Sequence, residues 1–139
     1  MIKTGQIFIV SAPSGSGKTT LVKKLLAQDQ ELDFSVSYTT RPPRGKEKSG
    51  IEYFFVDETI FQEMINQDIF LEYAKVFGHY YGTSNQYVEK KMSEGRDLVL
   101  DIDTNGANQV KRKLPNAVSI FVMPPSYTAL KRRLEKRQL

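Results

Sequence analysis

The spacing of apolar and polar residues changes period several times along this chain, and those changes divide it into elements. Ile7, Phe8, Ile9 and Val10 form a short uncharged run, the pattern of a strand buried on both faces. Leu21, Val22, Leu25 and Leu26 then recur at helical spacing and predict a helix from about Lys18. Residues 29–33 are a polar connection, and 34–38 alternate as a strand does. The stretch 39–50 is rich in proline, glycine and charge and predicts a loop, followed by a strand over 51–56. Asp57 can cap a short helix whose Ile60, Phe61, Met64 and Ile65 share a face. Residues 70–77 and 79–82 predict a strand pair turning at Gly78. Thr83 is expected to open the next helix, with Gln86 completing a capping box and Gly95 closing it.

A second rhythm follows. Residues 98–103 predict a buried strand that ends in the carboxylates Asp101 and Asp103. Gly106, Ala107, Val110 and Leu114 mark a helix, and 118–122 a further strand. Pro124 and Pro125 break that strand, and Ser126 caps a last helix through Leu130 and Leu134. Strand–helix alternation on both sides of a strand-dense middle predicts an α/β fold, a parallel sheet flanked by helices with an inserted β-rich lobe. Residues 1–34 and 84–125 form the core, 35–83 the lobe, and 126–139 the start of a last helix. Ligands of such sheets lie at the carboxyl ends of the strands.

The junction after the first strand carries the clearest chemistry. Ala12, Pro13, Ser14, Gly15, Ser16, Gly17, Lys18 and Thr19, continued by Thr20, have the form of a phosphate-binding loop between a strand and a helix. Backbone N–H groups of small residues turn inward there, at the positive end of the helix. Lys18 would neutralise the β- and γ-phosphates, and the Thr19 hydroxyl would reach a phosphate-bridging Mg2+. Ala12 replaces the usual first glycine; Pro13 favours extended geometry before it, which alanine adopts without strain.

Composition narrows the alternatives. The 139 residues contain no cysteine and one histidine, His79, so disulfides, thiolate metal sites and His-based triads drop out. No apolar run reaches the ~18 residues of a membrane span, and no signal peptide pattern opens the chain. A cytoplasmic protein with no membrane partner is expected. The net charge of +4 is modest and concentrated near the end, where Lys131, Arg132, Arg133, Lys136 and Arg137 read as a solvated or phosphate-facing helix rather than a nucleic-acid patch.

A phosphate-binding loop does not name the acceptor. Arg41 and Arg44, three apart in a proline-stiffened loop, suit a second phosphate, with hydroxyls from Tyr53 and Tyr81; surface arginines and core tyrosines are the plainer reading. The arrangement of 34–44 (FSVSYTTRPPR), 50–56 (GIEYFFV), 70–74 (FLEYA), 80–84 (YYGTS) and 100–103 (LDID) closely resembles bacterial guanylate kinases over nearly the whole chain. The resemblance implies ATP with Mg2+ on the phosphate loop and GMP in the lobe. Arg41, Arg44, Tyr53 and Tyr81 would hold the GMP phosphate, and Ser37, Glu72, Thr83 and Asp103 would read guanine. Asp101 would support the Mg2+ shell, with Lys18, Arg41, Arg44 and the lid residue Arg137 assisting transfer of the γ-phosphoryl to GMP. Family members continue into a lid with further arginines, so a chain ending at 139 is expected to bind nucleotides and transfer phosphoryl poorly. Two other classes stay open: a guanylate-kinase-like protein-interaction module that has lost catalysis, and a kinase of a phosphorylated sugar. Lys18 and Thr19 disfavour the first, the guanine readers the second. Homo-oligomerisation is left open.

Overall fold

In the computed structural model, residues 4–12 and 18–123 are described. Their elements are β1 (Ile7–Ser11), α1 (Lys18–Gln28), β2 (Leu32–Phe34), β3 (Ser37–Thr39), β4 (Tyr53–Phe55), α2 (Glu58–Asn66), β5 (Phe70–Val76), β6 (His79–Ser84), α3 (Asn85–Ser93), β7 (Asp97–Asp101), α4 (Thr104–Lys113) and β8 (Val118–Phe121). Pro13, Ser14, Gly15, Ser16, Gly17, Arg137 and the predicted helix after Ser126 lie outside the described residues.

Two four-stranded sheets result. The first is parallel, in the order β2-β7-β1-β8, and the second is mixed, in the order β4-β3-β6-β5. The interior strands of the first sheet are apolar because both faces are covered. Ile7, Ile9, Leu98 and Leu100 pack on one face with Val88 of α3 and Ala107 and Val110 of α4. Val10 and Val99 pack on the other face with Val22, and Leu26 leans on that group from α1. The second sheet buries aromatic rings: Phe61 of α2 stacks on Phe70 and Tyr80, with centroids 4.5 and 5.2 Å away. Among the described residues, no helix is long and apolar enough to cross a membrane.

The structure corrects several sequence expectations. Residues 34–38 are not one strand: β2 joins the parallel sheet and begins inside the supposed polar connection, whereas β3 joins the lobe. Ser35 and Val36 carry the chain between sheets, and the Ser35 N–H is held by the Val99 carbonyl at 2.9 Å. The strand expected over 51–56 shrinks to Tyr53–Phe55. Ser84, not Thr83, caps α3, accepting from the Tyr87 N–H; Thr83 is a fully buried residue of β6. Asp103 does not end a strand but caps α4 by accepting from the Gly106 N–H at 2.8 Å. The first error has a physical cause, since alternation reports that residues are extended and not which sheet they join.

Two tethers join core and lobe. Gln109 of α4 clasps the outer edge of β5, accepting from the Tyr73 N–H and donating to its carbonyl. Lys113 donates to the Phe70 and Leu71 carbonyls at 3.3 and 2.8 Å. Those carbonyls flank a bulge, where the register steps from Phe70↔Ser84 to Glu72↔Thr83. The extra residue lets Phe70, Leu71 and Glu72 all be buried, which strict alternation forbids.

Within the core, Asp33 of β2 accepts from Arg96 (2.6 Å) and Lys91 (3.0 Å). The Arg96 hydrogen bond, reinforced by Lys91, holds its carboxyl at about 2 despite partial burial. A carboxyl depressed in the fold contributes stability above its unfolded value of 3.8, and that contribution is lost as the pH falls toward 2. Asp33→Asn is expected to cost about 1 kcal/mol at neutral pH, after solvent screening. The difference from the unaltered chain should shrink steadily below about pH 4 in urea denaturation curves and be largely gone near pH 2, where Asp33 is about half-protonated.

Candidate nucleotide site

Register brings Asp101 to the loop after β1, because Val10 of β1 pairs with Asp101 at the end of β7. Lys18, the first residue of α1, meets that carboxylate at 2.6 Å. Ala12 is half-buried at the end of the preceding strand, Thr20 is exposed on α1, and Thr19 lies in α1 with its side chain outside the description. The contact fixes the Lys18 ammonium at the carboxyl end of the parallel sheet, where ligands of such sheets lie.

A second group forms in the lobe. Arg41 is 6% exposed and lies over the rings of Tyr53 (5.2 Å) and Phe55 (6.0 Å). Tyr53 meets Tyr81 edge-on at 5.8 Å. Burial pushes the Tyr53 hydroxyl up, and the neighbouring Tyr81 pushes in the same direction while Arg41 opposes it. The Arg41 guanidinium is gripped by Glu47 through two hydrogen bonds of 2.9 and 3.0 Å. Arg44 is exposed, and among the described residues its guanidinium makes no hydrogen bond or ion pair; its backbone N–H donates to Glu47.

A third group lies between lobe and core. Glu72, 3% exposed, accepts from the Thr83 hydroxyl at 2.7 Å across the β5–β6 ladder. Burial pushes its carboxyl up to about 7, the Thr83 bond opposes this, and the nearby Asp103 charge adds to it. Asp103 is exposed at the start of α4, and Ser37 is half-buried on β3 opposite Tyr53. The structure thus gathers Arg41, Tyr53 and Tyr81, then Glu72, Thr83 and Asp103, then Lys18 and Asp101. It leaves the Arg44 side chain apart. No three acidic or histidine side chains converge among the described residues, so a metal there would have to be held largely by something other than protein.

The family model described as Guanylate kinase matches residues 4–139. The chain belongs to the guanylate kinase family. It is 53% identical over 135 residues to a guanylate kinase of Legionella pneumophila (strain Lens), covering 97% of this chain and 65% of that one. It is 54% identical over 136 residues to a guanylate kinase of Koribacter versatilis, covering 98% and 58%. The crystal structure of guanylate kinase from Anaplasma phagocytophilum superposes with a TM-score of 0.80 at 36% identity, covering 95% of this chain and 66% of that one. The chain therefore spans about two thirds or less of the length of these guanylate kinases.

Sequence reasoning missed two residues that touch these groups. Glu47 was one charge among several in a loop; an acid between Arg44, Lys46 and Lys48 was the available signal. Gly106 was read as a plain helix position, yet a Cβ there would stand 2.6 Å from Glu72 Oε2 and 3.3 Å from Asp103 Oδ1. Only the missing side chain lets α4 start so close to two carboxylates. Gly106→Ala is expected to displace Glu72, lowering its carboxyl from about 7 toward the ordinary range in a side-chain NMR titration. Crowding of about 1–3 kcal/mol should outweigh the ~1 kcal/mol helix-propensity gain of alanine.

Proposed function

We propose that this chain carries the donor- and acceptor-binding parts of an ATP:GMP phosphotransferase, with GMP in the lobe formed by 35–83 and ATP on the core formed by 1–34 and 84–125. The observation that carries this reading is the buried Glu72, bonded to Thr83 and set beside Asp103, with Thr83 on the same strand as Tyr81 of the cationic Arg41 cluster. Guanine presents N1–H and its 2-amino group as adjacent donors, and one ionised carboxylate can accept both. Adenine offers a lone pair at N1 and no 2-amino group, so a buried carboxylate rejects it. Ser37, Thr83 and Asp103 complete base reading; Arg41, Arg44, Tyr53 and Tyr81 bind the phosphate.

On the donor side, the loop from Ala12 to Gly17 with Thr20 would wrap the ATP phosphates, and Lys18 would neutralise charge between them. Mg2+ suits the site: it takes one or two carboxylates, waters and substrate phosphates rather than an all-protein cage, and Asp101 and the Thr19 hydroxyl are hard oxygen donors. When bound it would screen phosphate charge. The acceptor phosphate oxygen is already anionic, so alignment and charge neutralisation suffice without a strong base, with Arg137 as a further cation. A cytoplasmic location fits such substrates.

Two measurements test the reading. Calorimetric titration should show GMP binding roughly 10^3-fold or more tighter than AMP, and coupled ADP release with Mg-ATP should respond to GMP but not AMP, CMP or UMP. Equal binding of AMP would overturn the assignment. The pH dependence is a sharper check. Base reading needs ionised Glu72, whose carboxyl sits at about 7. Guanosine affinity, free of phosphate titration, should therefore fall nearly tenfold per pH unit below that value and level off above it. Glu72→Gln should bind weakly with no such slope.

A further inference from the structure

The loop between β3 and β4 holds a carboxylate that the phosphotransfer reading leaves unused. Glu47 closes a tight turn on Arg44: its N–H donates to the Arg44 carbonyl at 3.0 Å, and its Oε1 accepts from the Arg44 N–H at 2.7 Å. Gly45 inside that turn has a φ of +55°. The carboxylate is thereby fixed from its own backbone. It then takes Nη1 and Nη2 of Arg41 in a two-pronged ion pair, while the Pro42 carbonyl accepts the other Nη1 hydrogen at 3.0 Å.

A guanidinium has five N–H donors in one plane. Glu47 and Pro42 account for three of them and fix the plane over the Tyr53 ring. Nε–H and the second Nη2–H are used by neither Glu47 nor Pro42; they point side by side along the other edge, where the Tyr81 and Tyr53 hydroxyls also approach the guanidinium, and an anion with two oxygens can be received there together with those hydroxyls. Tyr81 is the neighbour that, after Glu47, favours the charged guanidinium. Arg41 is nearly buried, so losing its only ion-pair partner among the described residues would leave an uncompensated charge. This argues against a carboxylate that leaves when ligand arrives.

We propose that Glu47 is a positioning residue for the acceptor phosphate: it holds one edge of Arg41 so that the opposite edge is presented to the monophosphate. The inference rests on the proposed GMP reading. Glu47 touches no substrate; it acts by removing the rotational freedom of Arg41 before binding, which lowers the ordering cost of the complex.

The test compares GMP with guanosine, which shares the base and lacks the phosphate, by calorimetry on the whole chain. Glu47→Ala is expected to weaken GMP binding by ~10-fold or more while guanosine binding stays unchanged. Glu47→Gln, which keeps one acceptor oxygen, should recover part of the loss. Equal weakening for both ligands would mean a general structural role and overturn the proposal. Unchanged or tighter GMP binding by Glu47→Ala would also overturn it, the latter exposing Glu47 as a competitor for Arg41. If the unaltered chain binds guanosine and GMP no better than adenosine and AMP, the GMP reading fails, and this inference fails with it.

Discussion

Everything in this structure hangs on the parallel pairing of β1 with β7. Both strands are apolar along their interior and are covered on two faces, so the pairing is buried and its register is fixed. Fixed register brings the start of α1 and the end of β7 to the same edge, and the Lys18–Asp101 contact follows from it. The lobe is then suspended from this frame. The chain leaves the parallel sheet after Phe34 and re-enters the core at α3, and α4 reaches across to grip β5. Asp103 at the start of α4 therefore takes its position from the core, whereas Glu72 is placed by the β5–β6 ladder that α4 grips.

Charge is distributed in a consistent way across the three groups. The buried cation Arg41 is compensated by an ion pair, whereas the buried acid Glu72 has Thr83 and the more distant charge of Lys113, which do not offset its burial and the nearby Asp103. An acid left short of donors inside a protein is destabilising unless something supplies them. A flat heterocycle with two adjacent N–H groups would be such a supply under the proposed reading, and its binding would relieve that tension. Arg41 shows the opposite arrangement, in which the protein satisfies half of a polar group and reserves the rest.

Much of this was legible from residues alone. Uncharged apolar runs identified β1 and β7, helical spacing gave α1 and α4, and the strand-dense middle announced a second sheet. Asp57 and Gly95 ended their helices where capping chemistry requires. What could not be read were facts that arise only between distant segments. The division of 34–38 between two sheets depends on partners, β7 and β6, that lie far along the chain. Thr83 and Ser84 are equally good caps locally, and the choice is made by Glu72 claiming the Thr83 hydroxyl. Glu47 looks like a solvated charge until Arg41 is seen to be buried, and Gly106 looks like a weak helix residue until Glu72 is placed against it.

The bulge in β5 has a consequence for how this gene can change. Three successive buried side chains depend on one surplus residue opposite a regular strand. Loss of the codon for Leu71 would restore perfect alternation and turn either Phe70 or Glu72 outward, breaking the aromatic core or the buried Glu72–Thr83 pair at a stroke. Substitutions at these positions can be graded and tolerated; a length change of one cannot. Related sequences should accordingly drift in letter along this segment while keeping its count, so that spacing here is inherited more strictly than identity.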